Sequence, residues 1–356
     1  MYRIDNTDAT VVDAYANDRA SELRPVILDF LNGREISLPV RNRRTVRLAI
    51  GANTLTRQFL LKLYQPNQLE TLLKMNYQKQ KDFIAQLKRR VYPDDLIFKP
   101  LGAGIYDKYF DGHPEPYDYF NEICNEIFVN QGYEQIDKWQ FITDTNLRIC
   151  PYCGKEEVVQ SRRSKRQIDH YLPKRKYPFF ALSYYNMIPA CDLCNESPNK
   201  GQKDPLVERN KSKVIMHPYG LNNTILRFHL EVADTRIYEP ENFEVILGFK
   251  DKSYLDGYDN FFDLSDRYSC CNHDASEDYI RLMNFKADNY YDEMHIDRHW
   301  LARAYQAVTG YTPTTDKPSI KRLHRMRNDI FRQLNKLRPV SSYYTKRSGA
   351  QPELLD

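Results

Sequence analysis

Four of the seven cysteines fall in two short pairs, Cys150-Pro151-Tyr152-Cys153 and Cys191-Asp192-Leu193-Cys194, separated by 37 residues. Each pair can turn two thiolates toward one tetrahedral ion, so together they fit a structural Zn2+ with no position left open for catalysis. One such pair alone would suit a redox motif equally well. Two within one segment, beside turn-forming Gly154, Pro189 and Asn195, point to a metal. Between the pairs lies Ile168-Asp169-His170-Tyr171-Leu172-Pro173-Lys174, an acid directly before a histidine at the end of a basic stretch. Then comes Asn186-Met187-Ile188-Pro189-Ala190-Cys191. Asn195 follows the last cysteine, and Lys200-Gly201 stands shortly after.

This order, CxxC, DHxxPK, NxxPxCxxCN and a lysine, resembles the HNH (ββα-metal) endonuclease family over residues 148 to 206, about a sixth of the chain. The resemblance implies that Asp169 is the carboxylate ligand of a catalytic Mg2+ or Mn2+ and His170 the general base that activates water. It implies that Asn186 steadies the loop holding the histidine. It also implies that Asn195 is the third motif residue and a further donor to the catalytic ion. The result is a His-Asn-Asn variant, similar to some phage junction resolvases and CRISPR effector HNH domains. Lys200 matches a phosphate contact, and Lys174 is assigned to nucleic acid with it.

Elementary chemistry agrees with these roles. Phosphodiester hydrolysis needs a deprotonated water and positive charge on the scissile phosphate. Histidine, with an ordinary pKa of ~6.5, can take a proton near neutral pH. Asp and Asn offer hard oxygens suited to Mg2+ or Mn2+. Successive residues of a strand point to opposite faces, so Asp169 and His170 serve one phosphate only if the backbone bends there. The helix expected after Cys194 is interrupted by Pro198 and Gly201, so it is short or starts late. Glu196 is a spare carboxylate beside it, either helix-end charge or a further metal-facing group.

The remaining cysteines, Cys124, Cys270 and Cys271, form an odd set in a chain without a secretory signature, which argues against a disulfide framework. Cys270 and Cys271 are expected to be buried thiols. His217, His295 and His299 are assigned to packing rather than metal; the i, i+4 pair lacks the glutamate of a HExxH site.

Net charge is only +4, yet it is unevenly spread. Residues 150 to 205 carry ten Lys/Arg against six Asp/Glu, residues 250 to 297 five against twelve, and residues 317 to 347 ten against one. Basic blocks separated by an acidic one suggest a polyanion, here DNA, that touches part of the surface. The last block forms an amphipathic helix of about Ser319 to Arg338. Its apolar stripe runs through Ile320, Leu323, Met326, Ile330, Leu334 and Leu337, and Arg322 and Arg325 lie on a face open to phosphate contact.

The elements that must position these groups give an α+β class: a mostly helical protein with a zinc-stapled ββα module and a few flanking strands. Three regions are expected: a helical 1–145, the module at 146–206, and a mixed 207–356. Helical runs start at Thr54, at Leu69, before Phe83 and across residues 117 to 133, where Gly132 is a candidate C-cap. Residues 225 to 231 and 243 to 248 read as strands, and helix returns from Asp274. Hydrophobic residues at 41% and charged ones at 28% exclude wholesale disorder. No run nears ~18 apolar residues, so no membrane span is expected. The N-terminal residues lack a basic flank and an apolar core, and a cytoplasmic protein is expected.

The expectation is therefore a metal-dependent DNA endonuclease. The layout, a module between long flanks, resembles nuclease subunits of antiphage systems such as Septu or retron effectors, which work with an ATPase partner. The alternatives are a zinc-stapled nucleic-acid-binding protein without catalysis, or a restriction- or repair-type nuclease unrelated to defence.

Overall fold

In the computed structural model, the described residues are 4, 8–39, 45–48, 50, 55–91, 120–158, 167–206, 215–220, 226–233, 242–249, 252–288, 298–310 and 323–334. Helices predominate and the strands are short antiparallel pairs, so the class is α+β.

Helix α1 spans Ala9–Leu31 and starts where the Asp8 carboxylate accepts from the Thr10 amide at 2.9 Å. Val12, Ala16, Ala20, Leu23, Ile27 and Phe30 recur at three and four and are all buried. Strands β1 (Ile36–Pro39) and β2 (Thr45–Leu48) pair next. Helices α2 (Leu55–Tyr64) and α3 (Gln68–Leu73) pack on α1. A bidentate contact from Arg24 to Glu70, at 2.7 and 2.9 Å, joins α1 to α3. Helix α4 follows at Tyr77–Val91.

The expected helix through residue 133 is not continuous. Helix α5 (Phe120–Cys124) widens into a π-helix over Asn125–Asn130, and a 3-10 turn covers Tyr133–Gln135. Gly132 is not a left-handed cap, having φ of −109°. A β-carbon there would overlap the Leu182 side chain and the Phe128 carbonyl, so the position needs glycine for close approach. Helix α6 (Lys138–Thr145) is capped by Asp137.

Next come β3 (Ile168–His170), β4 (Met187–Pro189) and the one-turn α7 (Asp192–Asn195). The β3–β4 register pairs Asp169 with Ile188 and His170 with Met187. A helix starting right after Cys191 and ending at Asn195 agrees with the interruption expected from Pro198.

Strands β5 (Leu226–Val232) and β6 (Phe243–Phe249) alternate as a half-buried pair, with Phe228, Leu230, Val245 and Leu247 inward. Helices α8 (Lys252–Phe262), α9 (Leu264–Ser269), α10 (Asn272–Asp288), α11 (Arg298–Thr309) and α12 (His324–Leu334) complete the described chain. Helix α12 covers the outer edge of β5. Asp329 accepts from the Phe228 amide at 3.2 Å, and Gln333 exchanges two bonds with Leu230, at 2.9 and 2.8 Å. An open strand edge is thereby satisfied by side chains. Buried residues from all three expected regions join one continuous core.

Candidate functional site: a four-cysteine centre beside an Asp-His groove

Both cysteine pairs sit in tight turns. The Gly154 amide donates to the Cys150 carbonyl at 2.8 Å with Gly154 at φ 67°, and the Asn195 amide donates to Cys191 at 3.0 Å. All four sulfurs are buried and lie within 4.8 Å of one another, with Cys153 and Cys191 at 3.9 Å. Four Zn–S bonds of ~2.3 Å in a tetrahedron require S···S edges of about 3.8 Å. The cluster can therefore hold a metal ion such as zinc. Arg267 of α9 donates from Nη1 to Cys194 Sγ at 3.2 Å. Although burial opposes its charge, the nearby thiolates hold the guanidinium more firmly protonated than usual.

Asp169 and His170 end the same short strand and line one groove of about 290 Å³ with Asn195, Lys174, Tyr133 and Gln167. The Asp169 carboxylate is 2% exposed. Its Oδ2 accepts from the Tyr152 hydroxyl at 2.5 Å and its Oδ1 from Lys200 Nζ at 3.0 Å. Burial, and then the Asp169 charge, push the Tyr152 phenol well above its ordinary pKa, so it remains a donor.

His170 Nε2 lies 2.9 Å from the Ala181 carbonyl, which can only accept. That contact fixes the N–H on Nε2 and leaves the lone pair on Nδ1. Burial, followed by the charge of Lys174, lowers the ring's pKa to about 3, so the imidazole is neutral. The N-terminal helices hold the loop that carries Ala181. Phe179 meets Phe59, Phe83 and Phe120 ring to ring, Gln80 bonds Ser183 at 2.8 Å, and the Tyr15 hydroxyl donates to Leu182 at 3.1 Å.

Asn186 is fully buried behind the histidine. It accepts from the Leu172 amide at 2.7 Å and donates to the carbonyls of Leu172 and Phe180 at 3.1 and 3.0 Å. It clasps the loop and is not part of the groove wall. Asn195 faces the groove and donates to Gln167 Oε1, while Gln167 Nε2 donates to Glu196 at 2.8 Å.

Lys200 departs from the sequence expectation. It is wholly buried, and besides Asp169 its ammonium donates to the His170 carbonyl at 2.7 Å. A side chain spent on internal charge compensation does not reach a phosphate outside. Lys174 lines the groove. Arg322 lies outside the described residues. Arg325 lies on α12, but its side chain is not among those described. Arg327 of the same helix pairs with Asp274 and Asp278 at 3.2 and 3.3 Å. His217 packs between Tyr77 and Tyr171, stacked at 4.7 Å on the former. His295 and the side chain of His299 fall outside the described set. At the α9–α10 junction Cys271 is buried, as expected, but Cys270 is exposed.

Tyr133, Lys138, Glu134, Tyr152, Gln167 and Arg267 were not singled out from sequence. Only Tyr152 had a local signal, its place inside the first cysteine turn. Asp169 and Asn195 bring oxygen donors of the kind Mg2+ takes, one or two carboxylates with several waters retained, although both Asp169 oxygens already accept bonds from Tyr152 and Lys200. Among the described residues no second group of three or more His, Cys, Asp or Glu ligands assembles. Such an ion would rest on Asp169, with the Asn195 amide as the further donor.

No family profile and no solved structure matches the chain. A stretch of 70 residues is 33% identical to Protein ea31 of Escherichia phage lambda, covering 20% of this chain and 20% of that protein. The chain thus spans about a fifth of the length of the curated relative it matches. No described helix is long and apolar enough to cross a membrane.

Proposed function

We propose that this chain is a metal-dependent endonuclease hydrolysing DNA phosphodiester bonds, with His170 as the general base. The observation that carries the reading is the His170–Ala181 contact of 2.9 Å, which leaves Nδ1 as proton acceptor on a ring lining the same groove as Asp169. A water proton passes to Nδ1, and the Ala181 carbonyl stabilises the imidazolium that forms through the Nε2–H bond. Asn186 keeps that loop, and so the ring, in place. A Mg2+ or Mn2+ held by Asp169 and Asn195 would supply positive charge against the scissile phosphate and a more acidic water.

A second reading is a zinc-stapled nucleic-acid-binding protein without catalysis. It is favoured by the Asp169 carboxylate being 2% exposed with both oxygens already bonded. One assay separates the two: plasmid cutting by wild type and His170→Ala, with and without added Mg2+. Cutting that needs both histidine and metal supports the nuclease; DNA binding with no cutting supports the second reading. A role in antiphage defence with an ATPase partner rests on layout alone. It is tested by copurification with an ATPase encoded beside this chain.

A further inference from the structure

The N-terminal region brings Tyr133, Glu134 and Lys138 to the groove, where they meet Lys174 of the motif. Tyr133 stands edge-on to His170, with ring centroids 4.4 Å apart. Lys174 and Lys138 place their ammonium nitrogens 4.4 and 4.6 Å from the centre of the Tyr133 ring, within cation–π reach. Glu134 spans the same two lysines, with Oε1 at 2.7 Å from Lys174 and Oε2 at 3.3 Å from Lys138. All four residues line the groove that holds Asp169 and His170.

The lysines are partly sheltered, at 30% and 29% side-chain exposure, so each is held in place rather than waving in solvent. One carboxylate presenting an oxygen to each of two ammonium groups has the valence of a phosphodiester, whose single negative charge is likewise shared by two terminal oxygens. The trio carries +1 (two lysines less one glutamate), so an incoming phosphate is attracted while Glu134 is repelled. Partly exposed ion pairs are weak, and exchanging one anion for another costs little.

We propose that Lys138, Lys174 and Tyr133 form a seat for a DNA phosphate beside the scissile position, and that Glu134 fills it until the strand displaces it. The identity of the anion rests on the nuclease reading; the seat itself rests on the geometry. Glu134 is then a brake on binding. It keeps the lysines apart from weaker anions and aligned for the backbone.

The test is affinity for a short duplex across a range of KCl, without added divalent ions so that binding is read apart from cutting. Lys138→Ala and Lys174→Ala should each flatten the log–log salt slope by about 0.9 and weaken binding to all sequences alike. Lys138→Arg should keep the slope. Glu134→Gln should tighten binding about two- to fivefold, the scale of a partly exposed charge pair. Unchanged slopes in both alanine variants overturn the seat. Weaker binding by Glu134→Gln overturns the brake and makes Glu134 a prop for the lysines. A protein that shows these slopes yet never cuts loses the nuclease reading and keeps the seat; one that cuts with unaltered slopes does the reverse.

Discussion

Lys200 Nζ lies 3.0 Å from Asp169 Oδ1, with the lysine side chain wholly sealed from solvent and the aspartate 2% exposed. The same ammonium bonds the His170 carbonyl, so one buried cation fixes two successive residues of β3. Removing one member of a buried pair strands the other charge, which typically costs about 3–5 kcal/mol. Lys200→Ala is therefore expected to lower the urea midpoint strongly. Asp169→Asn added to it should recover part of that loss, because the stranded carboxylate is gone. Single and double variants of equal stability would show that the two groups are not coupled.

Asn186 makes three bonds inside the loop and none to the groove. Truncation to alanine leaves the Leu172 amide and two carbonyls unpaired, at a cost of roughly 2–4 kcal/mol. Asn186→Asp should be worse than Asn186→Ala. It keeps the acceptor but sets a carboxylate oxygen against two carbonyl oxygens where an N–H had donated. Thermal unfolding of both variants reads the order. Alanine as the more damaging change would mean that the loop is not held this way.

The cysteine turns and the Asp-His dipeptide were legible because their chemistry is written in local spacing. The strands at 226–232 and 243–249 and the helices from residue 55 were legible from periodicity, which depends on each segment alone. Direction was not. Lys200 reads as an exposed cation until the fold turns it onto a carboxylate 31 positions away. Glu134 and Lys174 meet across 40 positions, and no local pattern announces that pairing. The one acidic residue of the last basic block is Asp329, whose place on the helix says nothing of what it meets. It is buried against a strand edge, a use that requires knowing what α12 lies upon.

Asp278 of α10 gives a pH dependence with a definite sign. Burial raises its pKa to about 7, outweighing the attraction of Arg327 and Arg281, while Asp274 and Glu277 push the same way as burial. A folded-state value above the unfolded 3.8 means that its contribution is fully present below about pH 4 and is lost as pH rises through 7. Wild type should thus lose stability from this group between pH 5 and 8, on the order of 2 kcal/mol. Asp278→Asn removes the titration, and with it the Arg327 contact of the ionised form, whose attraction is already contained in the raised pKa. The gap between variant and wild type should move in the variant's favour from pH 5 to pH 8. A gap that does not move assigns Asp278 an ordinary carboxyl.

The four-cysteine centre is expected to hold more than its own turns. The Tyr268 hydroxyl of α9 donates to the Cys153 carbonyl, Lys155 Nζ reaches the Arg267 carbonyl at 2.8 Å, and the Leu323 amide before α12 donates to Gly154 at 2.9 Å. Metal binding to such a site is folding free energy, so its loss should spread along these bonds. Elemental analysis should find one zinc per chain in wild type and in Asp169→Ala, and none in Cys153→Ser or Cys194→Ser. In the cysteine variants, amide exchange should quicken in β3, β4 and α7, and also in α9 and the first turn of α12. Helices α1 to α3, which lie outside the bonds just named, should keep their protection. Zinc absent from folded wild type would overturn the metal assignment. Unaltered exchange in α9 and α12 would confine the centre's influence to the module between the cysteines.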